Sequence, residues 1–323
     1  MSEIVTNALA LWGMEGARFE LVATRENRVY RVDQGGASYA LRLHRQGYRS
    51  DAELRSELQW MDAAASGGLH VPYPIASISN DLLHIVDGCQ VDVLCWLAGA
   101  PMGVGGTNPA HEGREGLFRA IGREMARLHA VSDAWRPPPG FTRWAWDREG
   151  LLGETPVWGR FWENPTLTDD EKNLFETLQQ VAAQDLAERE ASMDYGLIHA
   201  DLVRENVIVD DEKIQLIDFD DGGFGFRLFD LATALVKCTH EADYSLLKSS
   251  LLEGYRSVRP IDTGAFDLIM ALRAATYVGW IIERLGEEGA LARNRCNIET
   301  AKMLANAYLA KTRALPTGHR RPE

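Results

Sequence analysis

The chain has 323 residues, enough for one large domain or two modest ones. Hydrophobic residues at 46% and charged residues at 25% suit a folded globular protein and exclude disorder over most of the length. With 34 Lys and Arg against 47 Asp and Glu, the net charge of −13 argues against nucleic acid or an anionic membrane as partner, and favours a cationic ligand or an anion held through metal ions.

No apolar run is long enough to predict a membrane span. The first residues carry Glu3 and no basic cluster, so no secretory leader is expected. Cys89, Cys95, Cys238 and Cys296 form no CxxC pair and no Cys/His cluster, which points to free thiols in a reducing cytoplasm rather than zinc. Residues 28–32 and 38–43 read as strands of a hairpin around Asp33-Gln34-Gly35-Gly36, with Tyr39, Leu41 and Leu43 alternating. Ser50 three residues before Glu53 fits a capping box for a helix whose apolar face carries Leu54, Leu58 and Met61, and Gly67-Gly68 ends it. Strands at 82–86 and 90–97 flank an Asp87-Gly88 turn. Five strands and one helix are expected to about residue 95, then a linker at 97–101.

The remainder reads as mostly helical. Leu117, Ile121, Met125 and Leu128 share one face, and 167–190 is a helix capped at Thr168. Segments 229–238, 243–255, 264–286 and 297–312 complete the helical body. Residues 135–162 are rich in Pro and hold five of the nine tryptophans. Most of these belong in a core, while Trp158 and Trp162 are candidates for a substrate mouth. Arg273, Tyr277 and Trp280 share a helix face that is either core or pocket lining. The tail, residues 316–323, is expected to be loose.

The segment 197–231 carries the chemistry: LIHADLVRENVIVDDEKIQLIDFDDGGFGFRLFDL. A loop begins at His199-Ala200-Asp201, and Asn206 follows. Two short apolar strands joined at Asp210-Asp211 then end in Asp218-Phe219-Asp220. A hairpin with Asp201 and Asn206 before it and Asp218 after it brings three oxygen-bearing side chains together. One carboxylate can accept the proton of an attacking hydroxyl, while Asn206 and Asp218 are hard ligands for Mg²⁺ bridging the phosphates of ATP.

This pattern, HxDxxxxN followed by strand, turn, strand and Asp-Phe, resembles the catalytic loop and metal-binding segment of the protein-kinase-like superfamily. It is closest to the small-molecule branch of aminoglycoside phosphotransferase, choline kinase and homoserine kinase type, and the resemblance runs in order over most of the chain. It implies an α+β, two-lobed fold. Residues 1–97 would be a nucleotide-binding lobe, a small antiparallel sheet with one helix. Residues 98–323 would be a larger, mainly helical, catalytic and substrate-binding lobe. It implies transfer of a phosphoryl group from ATP, with Mg²⁺, to a hydroxyl of a small molecule. Asp201 would be the catalytic base, Asn206 and Asp218 the metal ligands, His199 packing under the loop, and Asp230 its brace. Arg42 would meet the nucleotide phosphates and pair with Glu57, or failing that Glu53. The adenine would sit at Cys95-Trp96-Leu97.

The sequence departs from the family at three points. Arg42 stands where Lys is usual, Thr24-Arg25-Glu26-Asn27-Arg28 replaces a Gly-rich loop, and Asp220 follows Phe219 where protein kinases have Gly. Asp220, Asp221 and Glu205 are either solvated charges or partners for an amine-bearing acceptor such as an amino alcohol, amino acid or amino sugar. Two other readings remain: a Ser/Thr protein kinase of the same superfamily, and a silent nucleotide-binding module. Eleven residues between Asp218 and Asp230 leave little room for a regulatory loop, and the intact Asp201, Asn206 and Asp218 argue against silence. The oligomeric state is not legible.

Overall fold

The computed structural model of the chain describes residues 2–24, 27–102 and 113–314. Arg25 and Glu26 of the segment in place of the Gly-rich loop, and the tail from residue 316, lie outside the described residues. In chain order the elements begin α1 (Ser2–Ala10), β1 (Arg18–Thr24), β2 (Arg28–Gln34), β3 (Ala37–Leu43), α2 (Asp51–Ser66), β4 (His84–Val86), β5 (Cys89–Cys95), β6 (Ala100–Pro101) and α3 (Gly113–Ala134). They continue with β7 (Ala145–Trp146), α4 (Arg148–Leu152), α5 (Asp169–Arg189), β8 (Tyr195–Ile198), β9 (Val207–Asp210), β10 (Lys213–Leu216) and β11 (Gly223–Phe226). Helices α6 (Arg227–Val236), α7 (Tyr244–Arg256), α8 (Phe266–Trp280) and α9 (Ala290–Ala314) close the chain. An antiparallel sheet with many helices is the α+β, protein-kinase-like architecture that the resemblance implied.

The chain divides into two compact units, Met1–Arg143 with Arg204–Gly222, and Trp144–Val203 with Gly223–Glu323. The first unit holds a five-stranded antiparallel sheet in the order β1-β2-β3-β5-β4. Helix α2 starts at the Ser50–Glu53 capping box, and its Leu54, Leu58 and Met61 are buried. Helix α1 is an addition to the sequence reading. Its Val5, Ala8 and Leu9, with Trp12 just beyond, pack into the sheet core of Val32, Leu41, Leu43, Val91 and Val93. The segment 97–101 is also more than a linker. Ala100 and Pro101 pair with Val209 and Ile208, making β6 the third strand beside the β9–β10 hairpin.

The second unit builds a small sheet, β7-β11-β8, among helices α4 to α9. Gly225 permits the central strand: a Cβ there would stand 2.5 Å from Ile198 and 2.9 Å from Trp146. Strand β8 delivers the chain to His199, and β11 feeds directly into α6. Among the described residues no helix is long and apolar enough to cross a membrane.

Candidate active site

In the first unit, the β9–β10 hairpin pairs Val207 with Leu216, and beyond that pair Ile217 N–H donates to the Asn206 carbonyl at 3.0 Å. Asn206 and Asp218 therefore leave the hairpin at the same end. Asn206 is buried, whereas Asp218 is exposed. Asp218 sits at φ 69°, a left-handed backbone that non-glycine residues other than Asn and Asp adopt rarely. A carboxylate and a carboxamide are oxygen donors suited to a hard divalent cation, whose other ligands come from phosphates and water. The pair fits a metal of that class.

Behind this end lies a buried ionic cluster. Arg42, on β3, faces Asp92 on β5 and grips it side-on with one edge: Nε to Oδ1 at 2.8 Å and Nη2 to Oδ2 at 2.9 Å. Arg42 Nη1 donates to Glu57 Oε1 at 2.7 Å and to Asp220 Oδ1 at 3.3 Å. Glu57, not Glu53, is thus the helix partner of Arg42, and Glu53 serves the α2 cap. His44 Nε2 lies 2.6 Å from Asp92 Oδ2. Burial works against the Asp92 charge, yet Arg42 and His44 hold its carboxyl down to about 2. Burial, and then the charge of Glu57, push Asp220 up to about 6 against the pull of Arg42. Asn27 Nδ2 donates to the other Asp220 oxygen at 2.5 Å, and Arg49 stands 3.5 Å from Asp221. Both carboxylates already have a cationic neighbour.

Asp92 and Arg143 belong to this cluster and escaped the sequence reading. Asp92 left a signal, a lone carboxylate between Val91 and Val93 in an apolar strand; Arg143, in a Trp-rich loop, left none. At the expected adenine segment, Cys95 pairs with Tyr73: its N–H donates to the Tyr73 carbonyl at 2.9 Å, and its Sγ accepts from Tyr73 N–H at 3.2 Å. Leu97, two residues on, is half-buried.

In the second unit, the loop after β8 carries Asp201. Asp230, on α6 and fully buried, accepts from His199 N–H at 2.9 Å and Ala200 N–H at 2.6 Å. These two bonds hold Ala200 at φ 63° immediately before Asp201. His199 is fully buried under the loop. The Asp201 carboxylate receives a salt bridge from Arg273 Nη2 at 3.0 Å. Arg273, 0% exposed, also donates to Thr233 Oγ1 at 2.7 Å, Thr276 Oγ1 at 3.0 Å and the Tyr277 hydroxyl at 2.8 Å. Its guanidinium lies over the rings of Tyr277, Trp158 and Phe229 at 4.1, 4.7 and 5.2 Å. Trp280 stands 6.1 Å from Trp158, with Arg284 over its face at 4.3 Å, and Trp162 packs edge-on against Phe161. Of the face shared by Arg273, Tyr277 and Trp280, Arg273 binds Asp201 directly and Tyr277 through Arg273, a link that helical spacing alone does not reveal.

Residues 20–261 match the family model described as the phosphotransferase enzyme family, which covers most of the chain. The chain belongs to this family. It is a kinase of the small-molecule type that transfers a phosphoryl group to a hydroxyl. Homoserine kinase of Chelativorans sp. (strain BNC1) is 28% identical over 291 residues, 86% of this chain and 84% of that one. Amicoumacin kinase of Bacillus subtilis (strain 168) is 25% identical over 235 residues, 72% of this chain and 67% of the relative. Among solved structures, a microcompartment-associated aminopropanol kinase superposes with a TM-score of 0.84 at 28% identity, covering 96% of this chain and 98% of its own.

Proposed function

We propose that this phosphotransferase uses ATP and Mg²⁺ to phosphorylate the hydroxyl of a small amino alcohol or a related amine-bearing acceptor. The observation that carries the reading is the exit of Asn206 and Asp218 at one end of the hairpin, with only four residues of chain between Asp201 and Asn206. Asp201 orients the acceptor hydroxyl and takes its proton as the oxygen bonds to the terminal phosphorus of ATP, the bond from that phosphorus to the bridging oxygen breaks, and ADP leaves. Asn206 and Asp218 hold the cation, which when bound offsets the charge of the phosphates. Arg42, kept in place by Asp92 and Glu57, presents positive charge to the nucleotide. Residues 95–97 receive the adenine, within a nucleotide-binding lobe of residues 1–97. Residues 98–323 supply the catalytic loop and the acceptor pocket, whose walls we assign to Trp158, Trp162, Tyr277 and Trp280. The net charge of −13 and the likeness to an aminopropanol kinase support an amine on the acceptor. All four cysteines are free thiols, which fits a cytoplasmic location.

The test is turnover of ATP with Mg²⁺ against a panel of hydroxylated amines and matched neutral alcohols. Turnover with the amines is expected. In Asp201→Asn it falls by roughly 10²–10⁴-fold while nucleotide affinity is kept. Turnover confined to neutral alcohols would remove the amine, and full activity in Asp201→Asn would remove the base.

A further inference from the structure

The metal-binding segment is gripped from behind by one side chain that its motif does not contain. Arg143 is 0% exposed at its side chain. Its Nε donates to the Gly222 carbonyl at 2.6 Å, and its Nη2 donates to the carbonyls of Phe219 at 2.9 Å and Asp220 at 2.7 Å. Its Nη1 reaches back to α2, to the Glu53 carbonyl at 3.2 Å and Glu57 Oε2 at 3.4 Å. Three of the four carbonyls that follow Asp218 thus converge on a single planar cation. Phe219 is locked edge-on against Trp60 at 5.0 Å, and a Cβ on Gly222 would run into the same Trp60 ring.

We propose that Arg143 is a positioning residue for metal binding: it fixes the backbone after Asp218 so that the Asp218 carboxylate is presented to the cation. The inference rests on the reading of Asp218 as a metal ligand. Its physical basis is the left-handed backbone at Asp218, φ 69°, a sparsely populated conformation that the neighbouring contacts hold in place. The guanidinium supplies that constraint because it can donate along two edges at once. A lysine would bring three donors from a single point and could not span carbonyls three residues apart. Arg143 also ties the segment to Glu57, and so to Arg42, which itself contacts Asp220. Arg42, Glu57, Arg143 and residues 219–222 form a closed ring in which the metal segment, helix α2 and strand β3 hold one another.

The experiment measures Mn²⁺ binding by electron paramagnetic resonance, with a non-hydrolysable ATP analogue present, in the wild type, Arg143→Met and Arg143→Lys. Turnover against Mg²⁺ concentration is followed in parallel. Loss of an orienting partner is expected to weaken Mn²⁺ binding by roughly 10–100-fold. The Mg²⁺ needed for half-maximal rate should rise in step, the acceptor KM should stay unchanged, and saturating Mg²⁺ should recover part of kcat. Arg143→Lys should fall between the wild type and Arg143→Met. Wild-type Mn²⁺ affinity in a variant that melts cooperatively would overturn the proposal. So would a loss spread evenly over metal and acceptor, or failure of both variants to fold, since each makes the residue a general support. Asp218→Asn separates the two readings. If it too binds Mn²⁺ normally, the metal assignment fails; if it does not, while the Arg143 variants do, only the positioning role fails.

Discussion

Asp201 and Arg273 form an ion pair in which the cation is sealed from water and the carboxylate is one-fifth exposed, at 0% and 21%. Three further donors of Arg273 go to Thr233, Thr276 and Tyr277, so the guanidinium cannot swing away from Asp201 without breaking bonds on two helices. An Arg273→Lys variant keeps the charge and loses the fork. It should lower kcat by about 10–100-fold, the equivalent of one charge-assisted hydrogen bond, with a smaller effect on the nucleotide KM. Equal loss in both parameters would reduce Arg273 to packing. The HxDxxxxN spacing and the Asp-Phe after the hairpin single out Asp201, Asn206 and Asp218 as candidates because such motifs lie within one stretch of chain. Arg273 and Arg143 were not legible as their partners. Each reaches its target across more than 70 residues of chain, a distance at which spacing carries no information.

Elements follow the same rule. The helices capped at Ser50 and Thr168 were readable, since a Ser or Thr with Glu three residues later satisfies orphan amides within one turn. The strands β6, β7 and β11, two to four residues each, exist through pairing with distant chain and left no periodicity. Helix α1 did leave one, in Val5, Ala8, Leu9 and Trp12, and needed only to be read. The α5 cap does more than start a helix. Glu171 also takes Arg295 at 2.5 Å and Lys302 at 2.9 Å, clamping α5 to α9. Burial would raise its carboxyl, but hydrogen bonds from Arg295, the Thr168 amide and Lys302 bring it down to about 2. A depressed folded-state value means that this stabilisation is complete above the ordinary carboxylate range and is lost as pH falls towards 2. In Glu171→Gln, stability at pH 7 should drop on the order of 2 kcal/mol, and part of the acid-side slope of the melting temperature should vanish. An unchanged slope would show that the clamp contributes nothing to acid sensitivity.

For the molecule as a whole, the family match ends at residue 261, and both α8 and α9 lie beyond it. The cation paired with the proposed base therefore comes from a part of the chain that the family match does not describe. Global charge has its own consequence. With a sequence pI near 5.2, self-repulsion fades close to that pH and colloidal stability should be least there. Strand β1 decides where molecules would then adhere. It is the outer strand of the five-stranded sheet, all seven of its residues are exposed, and Phe19, Leu21 and Val22 are among the large apolar side chains left open. Leu21→Lys should cut turbidity at pH 5 without altering turnover; undiminished turbidity would place the sticky surface elsewhere. A largely apolar outer strand is a template for strand addition, so concentrated stocks left near the isoelectric point should drift towards β-rich precipitate.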